Sequence, residues 1–181
     1  MKFFYLHLAL LASVVLFSCT SKSARKHKNK HESNNNNEYI LSGRNDQYKV
    51  KKVVDGDTFW VDNHTEQGLK VRLIGIDAPE SRNAFKKKKQ VYGQESKQYA
   101  LNLLQNQSVR LEFDVDSLDQ YGRTLAYAYL ENGDMVNELL VKSGNAIVLT
   151  ITPNVKYEKK LYVAQQYARE QSLGLWSVGI K

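Results

Sequence analysis

Polar and apolar residues alternate at a period of two over residues 47–54, which read QYKVKKVV. Such alternation is typical of a half-buried β-strand. After an Asp-Gly-Asp turn, residues 58–61 return to the β-branched and aromatic composition that strands favour. A second turn precedes residues 69–76, LKVRLIGI, which we interpret as a third strand. Three strands joined by short turns predict an antiparallel meander.

Helical spacing replaces alternation over residues 91–106, where Tyr99, Ala100, Leu103 and Leu104 fall on one face. The other predicted elements are strands at 108–115 and 123–130 and helices at 134–142 and 156–170. The resulting order, β-β-β-α-β-β-α-α, predicts an α+β fold that is mainly β barrel. We expect an OB-fold barrel of five strands with three helices, a scaffold that often binds nucleic acids.

The first 18 residues have a different character. Lys2 precedes an apolar run from Phe3 to Phe17, which predicts a signal peptide, because a permanent span needs about 20 apolar residues. The run ends in Leu-Phe-Ser-Cys, which resembles a bacterial lipobox and makes Cys19 the predicted lipidation site. We therefore expect an exported protein, lipid-anchored to the cell membrane or outer membrane. The alternative is cleavage nearby, with Cys19 incidental and the protein secreted.

Residues 19–46 are rich in Ser, Lys, His and Asn, and such a segment predicts a disordered tether ahead of a single domain at 47–181. The chain of 181 residues has a net charge of +7. Residues 20–46 hold six basic and three acidic residues, whereas residues 47–181 hold 19 basic and 16 acidic residues. Less than half of the positive excess therefore belongs to the predicted domain. The net charge alone is therefore a weak indication of an anionic partner. The single Cys excludes a disulfide framework and a Cys-rich zinc site.

Acidic residues gather at two predicted turns. Asp57 follows the first strand, and Asp77 ends the third. Pro79 restricts Ala78 to an extended conformation, in which its carbonyl can serve as a ligand. Two carboxylates and a carbonyl are oxygen ligands of the kind that calcium prefers. Each of these sequences also has an ordinary interpretation as a turn or a helix entry.

Two arginines and a further carboxylate complete this group. Arg72 and Arg123 carry planar guanidinium groups suited to phosphate oxygens. Glu80 is a carboxylate that can orient or deprotonate a water molecule. Charge neutralisation, transition-state stabilisation and water activation are what phosphodiester hydrolysis requires.

The chain resembles the thermonuclease, or staphylococcal-nuclease-like, family over about residues 47–177. The matching segments, in family order, are VVDGDTF at 53–59, VRLIGIDAPE at 71–80, VYGQES at 91–96, DQYGRTLAYAYL at 119–130, DMVNELLVKSGNA at 134–146 and LGLW at 173–176. The resemblance implies an OB-fold enzyme, here expected to be a monomer. It implies calcium-dependent hydrolysis of single-stranded or unwound DNA and RNA. The family cleaves the P–O5′ bond and leaves 3′-phosphate ends.

The resemblance also implies roles for individual residues. Asp57, Asp77 and the Ala78 carbonyl would bind calcium, and Tyr121 would line the nucleotide pocket. The catalytic residues would be Arg72, Glu80 and Arg123.

The chain departs from the family where Thr150 and Thr152 lie near positions often held by Tyr. A Thr hydroxyl can contact a phosphate but cannot stack on a base, where an aromatic contributes about 1–3 kcal/mol. We therefore expect weaker nucleotide binding or an altered nucleotide preference, with the chemistry retained. Lys86 and Lys87 belong to a run of four lysines, which is either a solvated loop or a track for the nucleic-acid backbone.

Two other functions are compatible with parts of this pattern. One is a catalytically silent OB-fold lipoprotein that binds nucleic acid, and the other is a surface adhesin with a basic tether. The joint presence of Arg72, Glu80 and Arg123 disfavours both, because neither function requires that group.

Overall fold

The computed structural model of the chain describes residues 47–83 and 88–178. The strands are β1 (Gln47–Asp55), β2 (Thr58–Val61), β3 (Leu69–Leu73), β4 (Ile76–Asp77), β5 (Ser108–Glu112), β6 (Thr124–Leu130) and β7 (Ile147–Val148). The helices are α1 (Gly93–Leu104), α2 (Val136–Lys142) and α3 (Glu158–Glu170), followed by a 3-10 helix at Gly174–Trp176. The predicted signal peptide, Cys19, the tether, Lys86 and Lys87 lie outside the described residues. None of the helices in the described ranges is both long and apolar enough to cross a membrane.

Five strands close into a barrel in the order β1-β2-β3-β6-β5. β2 pairs antiparallel with both β1 and β3, which confirms the predicted meander. β3 pairs parallel with β6, and β5 closes the barrel by pairing antiparallel with β1 and β6. This mixed five-stranded barrel with three helices confirms the predicted OB-like α+β fold.

The third strand is shorter than predicted. It ends at Leu73 instead of continuing to residue 76, because Gly75 adopts a left-handed conformation with φ of +78° that turns the chain. A Cβ at Gly75 would also lie 2.7 Å from Leu161 Cδ1. Beyond the turn, β4 pairs with β7 in a separate two-stranded sheet that the alternation along the chain does not predict. The turn carries Asp77 back toward Arg72 on β3.

The barrel interior holds the side chains on one face of each strand. Phe59 and Val61 of β2, and Val71 and Leu73 of β3, are at most 2% exposed. The alternate residues, including Thr58, Trp60, Lys70 and Arg72, therefore lie on the outer face of the barrel. Buried residues of the three helices pack against these side chains in the same core, among them Ala100, Leu104, Leu140 and Leu161.

Asn137, in the first turn of α2, joins the helix to the barrel. It is fully buried, accepts a hydrogen bond from the Ala128 amide at 3.0 Å and donates one to the Ile74 carbonyl at 2.8 Å. Asn137→Ala is expected to lower the free energy of unfolding by about 2–4 kcal/mol, because two buried backbone groups lose their partners. Urea denaturation measures this change. Asn102→Ala, on the exposed face of α1, is the matched control, and an equal loss in the control would contradict the prediction.

Candidate active site

Arg72 is the centre of the polar cluster at the end of β3. Its Nη1 donates to the backbone carbonyls of Leu73 and Ile76, at 2.7 and 2.8 Å. Its Nη2 lies 3.1 Å from Asp57 Oδ2 and 2.9 Å from Asp77 Oδ1. The side chain is only 11% exposed. The guanidinium therefore fastens the turn after β3 and brings two carboxylates to one point.

Asp57 lies in the turn between β1 and β2 and is also buried. Its Oδ1 accepts a hydrogen bond from Thr58 Oγ1, and its Oδ2 accepts one from the Ala78 amide, both at 2.9 Å. The bond to Ala78 connects this turn to the segment that follows β4. Asp77, Ala78 and Asp57 are thus assembled by backbone geometry as well as by Arg72.

Glu80 lies two residues farther along, in a half-buried position. Two hydrogen bonds of 2.9 Å join its backbone to Gln90. The Glu80 backbone N–H donates to Gln90 Oε1, and the Gln90 backbone N–H donates to the Glu80 carbonyl. The start of α1 packs directly on this backbone, since a Cβ at Gly93 would collide with the Glu80 carbonyl oxygen. These contacts fix the segment that carries the Glu80 carboxylate.

Asp55 adds a further acidic group beside Asp57. Its Oδ1 accepts from the amides of Gly56 at 3.0 Å and Ser81 at 3.3 Å. Burial raises the pKa of Asp55, and the nearby charges of Glu80 and Asp57 raise it further. Asp55 therefore brings a further carboxylate close to Asp57 and to the backbone of Ser81, which follows Glu80.

No three His, Cys, Asp or Glu side chains within the described ranges are grouped so that they alone could hold a metal ion. The carboxylates of Asp57 and Asp77 nevertheless lie close together, since each has an oxygen in contact with Nη2 of Arg72. Their oxygens are hard ligands of the kind that calcium takes, with carbonyl groups, water or substrate as the additional ligands. The donor set therefore fits calcium as a partial protein site.

Arg123 directly precedes β6. Its Nε donates to Asp119 Oδ2 at 2.6 Å, and its guanidinium carbon lies 5.5 Å from the centre of the Tyr121 ring. Asp119 Oδ1 also accepts from the backbone amides of Tyr121 and Arg123, both at 2.9 Å. Tyr121 is 75% exposed, so it presents its ring to solvent beside the guanidinium.

The charge of Asp119 contributes to stability in a pH-dependent way. Burial alone would raise its pKa, but the hydrogen bonds and charge of Arg123 and the Tyr121 amide lower it below its ordinary value of 3.8. A lowered folded-state pKa means that the stabilisation is present above 3.8 and is lost as the pH falls through the folded-state value. We therefore expect Asp119→Asn to lower the free energy of unfolding near neutral pH and to have a progressively smaller effect under acidic conditions. Urea denaturation over a pH series checks this, and a difference that does not change with pH would contradict it.

The two arginines line one cleft of about 400 Å³. The remainder of its wall is largely apolar, and it includes Leu118, Tyr121, Leu125, Leu149, Ile151 and Thr152. Asp116, Asp119, Gln120 and Asn154 also line the cleft. A cleft with two arginines and a mostly apolar wall suits a ligand that has both anionic and planar apolar parts.

The predicted substrate residues are distributed unevenly around this cleft. Tyr121 and Thr152 line it, whereas Thr150 does not. The Thr150 hydroxyl is buried and has no hydrogen-bond partner among the described residues. Asp57, Asp77, Ala78 and Glu80 do not line the cleft, although Asp57 and Asp77 contact Arg72, which does.

Sequence reasoning assigned no role to several residues that shape the site. Asp55 belongs to the same Asp-Gly-Asp turn as Asp57, and that proximity could have marked it as a second acid. Gln90, which holds the Glu80 backbone, lies ten residues away and has no local signal. Leu149 and Ile151 enter the cleft because β7 pairs with β4, a contact between distant segments.

Comparison with known proteins identifies the family of the chain. The sequence model of the family described as "Staphylococcal nuclease homologue" matches residues 70–178. The thermonuclease of Staphylococcus hyicus is 42% identical over 138 residues, which cover 76% of this chain and 80% of that protein. The thermonuclease of Staphylococcus intermedius is 41% identical over 133 residues, which cover 74% of this chain and 77% of that protein. The endonuclease YncB of Bacillus subtilis is 28% identical over 193 residues, which cover 94% of this chain and 89% of that protein. The chain belongs to the family of staphylococcal nuclease homologues.

Proposed function

We propose that the protein is a calcium-dependent nuclease that hydrolyses single-stranded or unwound DNA and RNA as a monomer. The bond cleaved is P–O5′, so that the products carry 3′-phosphate ends. The observation that carries this proposal is the placement of Arg72 and Arg123 on one cleft, with the carboxylates of Asp57 and Asp77 in contact with Arg72. The nuclease names of the related proteins support the same reaction class.

The residues of this chain divide the chemistry as follows. Arg72 and Arg123 donate hydrogen bonds to the non-bridging oxygens of the scissile phosphate, whose negative charge increases in the transition state. Glu80 orients the attacking water and accepts a proton from it. The water oxygen bonds to phosphorus, the bond from phosphorus to O5′ breaks, and O5′ takes up a proton.

Calcium would be held by the carboxylates of Asp57 and Asp77 and by the Ala78 carbonyl. When bound, it would neutralise phosphate charge as a Lewis acid. The protein residues would prepare for it by keeping two carboxylates together and by tying Asp57 to the Ala78 amide.

Analysis of product ends tests this reaction. A single-stranded oligonucleotide is digested in the presence of calcium, and the fragments are treated with a phosphatase that removes 3′-phosphates. The proposal predicts fragments that gain a free 3′-hydroxyl only after this treatment. Fragments with 5′-phosphates would place the cleaved bond on the other side of phosphorus.

One observation favours a second function, a catalytically silent OB-fold module that binds nucleic acid. Arg72 makes four contacts inside the protein, as a residue with a purely structural role would. This alternative predicts binding of oligonucleotides with no cleavage at any calcium concentration. The nuclease requires Arg72 to fasten the turn and still present an edge of its guanidinium to the cleft, which it lines.

The proposed location is outside the cytoplasm, with the protein exported and attached to a membrane by lipid on Cys19. The apolar run and the Leu-Phe-Ser-Cys sequence at 16–19 support it. Cys19→Ala is expected to move the protein from the membrane fraction to the soluble fraction, because it removes the acyl chains that anchor it. Immunoblots of fractionated cells measure this. An unchanged distribution would contradict lipidation, and Ser21→Ala serves as the neighbouring control.

A further inference from the structure

A cross-strand row of two lysines and a tryptophan lies on the outer face of the barrel. Lys52 of β1 pairs with Trp60 of β2, and Trp60 pairs with Lys70 of β3. Lys52 is exposed, and Trp60 and Lys70 are half-exposed. The row thus places an indole ring between two cationic side chains, and no residue of this row belongs to the cleft described above.

The row lies next to the active-site residues along the same face. Thr58 of β2 pairs with Arg72 of β3. Thr58 lies two positions before Trp60 on β2, and Arg72 lies two positions after Lys70 on β3. Side chains two positions apart share a face of a strand and are separated by about 7 Å. At the rise of about 3.4 Å per nucleotide in a stacked strand, this separation corresponds to about two nucleotides. A chain held at Arg72 would therefore reach the row without crossing to another surface.

The two lysines of the row differ from several other cations in the described ranges in forming no ion pair with a carboxylate there. Arg72, Arg110, Arg123, Lys156 and Lys160 all form ion pairs with carboxylates. Neither Lys52 nor Lys70 forms one with any carboxylate in the described ranges. Lys70 Nζ lies 6.0 Å from the centre of the Trp60 ring, at the outer limit of a cation–π contact. Both ammonium groups are thus able to pair with an external anion at little cost.

We propose that Lys52, Trp60 and Lys70 form an additional subsite for a single nucleic-acid strand, adjoining the cleft. A base of the strand stacks on Trp60, and the flanking phosphates pair with Lys52 and Lys70. Bases of any identity stack on an indole ring, so the subsite adds affinity with little sequence preference. It also adds an aromatic surface to a nucleotide-binding region in which Thr150 and Thr152 provide none. This inference rests on the proposed nuclease function and specifies its substrate as a strand longer than the cleft alone would hold.

Binding of short and long oligonucleotides tests the subsite. The purified protein is kept in chelator to prevent cleavage, and fluorescence anisotropy reports binding of labelled single strands of about three and about twelve nucleotides. Trp60→Leu is expected to weaken binding of the longer strand about tenfold, whereas Trp60→Phe, which keeps a stacking ring, weakens it less. Lys52→Gln and Lys70→Gln are each expected to reduce the slope of log affinity against log salt by about 0.7. Binding of the shorter strand stays unchanged in all four variants.

Lys159→Gln, an exposed lysine on α3, is the matched charge control and leaves the slope unchanged. The subsite is overturned if the longer strand binds to Trp60→Leu, Lys52→Gln and Lys70→Gln as it does to the unaltered protein. Failure of the nuclease proposal has a different signature, namely binding of the longer strand that depends on Trp60 but no cleavage when calcium is added. The lysine variants and Trp60→Phe keep the test decisive even if Trp60→Leu folds poorly.

Discussion

Arg72→Lys is expected to reduce kcat for cleavage of single-stranded DNA by about a hundredfold or more. The guanidinium of Arg72 reaches two backbone carbonyls with one nitrogen and two carboxylates with the other. A lysine ammonium is a single point charge and cannot span these four acceptors while also facing a phosphate. The variant therefore loses transition-state contacts and also leaves Asp57 and Asp77 without a shared partner. Initial rates with calcium at saturating substrate measure the effect.

Arg72→Lys also affects stability, so the loss of activity needs a structural control. Circular dichroism and urea denaturation of the same preparation establish the temperature range in which the variant remains folded. Arg110→Lys is the matched substitution, since Arg110 pairs with Glu112 and stacks on Tyr129 on a part of the barrel outside the cleft. Its kcat is expected to stay within about twofold of the unaltered protein. If folded Arg72→Lys cleaved DNA at a rate similar to that of the unaltered protein, Arg72 would only support the turn.

Glu80→Gln is expected to lower kcat by a factor of about 10² to 10⁴, because a neutral amide cannot accept the proton of the attacking water. The bonds between the Glu80 backbone and Gln90 do not involve the Glu80 carboxylate, so this substitution keeps both of them. Affinity for an uncleaved oligonucleotide in chelator should therefore change little. Single-turnover kinetics and anisotropy separate the two quantities.

Glu95→Gln provides the control for Glu80→Gln, as it makes the same chemical change at an exposed position in the first turn of α1. It should leave both kcat and affinity unaltered. The assignment of Glu80 would be wrong if Glu80→Gln retained its kcat. It would also be wrong if affinity fell by the same factor as kcat, which indicates a role in binding.

Much of the barrel follows from the sequence because the core imposes a period of two on its strands. Residues Phe59, Val61, Val71 and Leu73 alternate with outward-facing residues, and that alternation is visible without any structure. The end of β3 was placed too far along the chain because Ile74 and Ile76 continue the apolar pattern through Gly75. Ile74 is buried in a second cluster with Tyr127 and Met135, so its apolar character does not indicate a continuing strand.

The short strands β4 and β7 were not predicted, because two-residue strands have no periodicity to detect. Their pairing depends on Ile76 and Val148, which are far apart in the sequence. The same long-range contact brings Leu149 and Ile151 to the cleft. Contacts of this kind are determined by the closed topology, and no local pattern encodes them.

For the site, residue types and motif positions were sufficient to select Asp57, Arg72 and Asp77 but did not indicate their mutual contacts. Sequence reasoning assigned the two carboxylates to calcium and the arginine to phosphate. The structure pairs them with one another through a single guanidinium nitrogen. The sequence predicts a substrate contact for Thr150, and in the structure the Thr150 hydroxyl is buried.

The central claim is that the cleft and its acidic cluster cleave nucleic acid, and one calcium titration tests it most directly. Binding and cleavage of the same labelled single-stranded oligonucleotide are measured in parallel, from chelator to excess calcium. The account predicts binding throughout and cleavage that increases with calcium until it saturates. Binding without cleavage at every calcium concentration would contradict it.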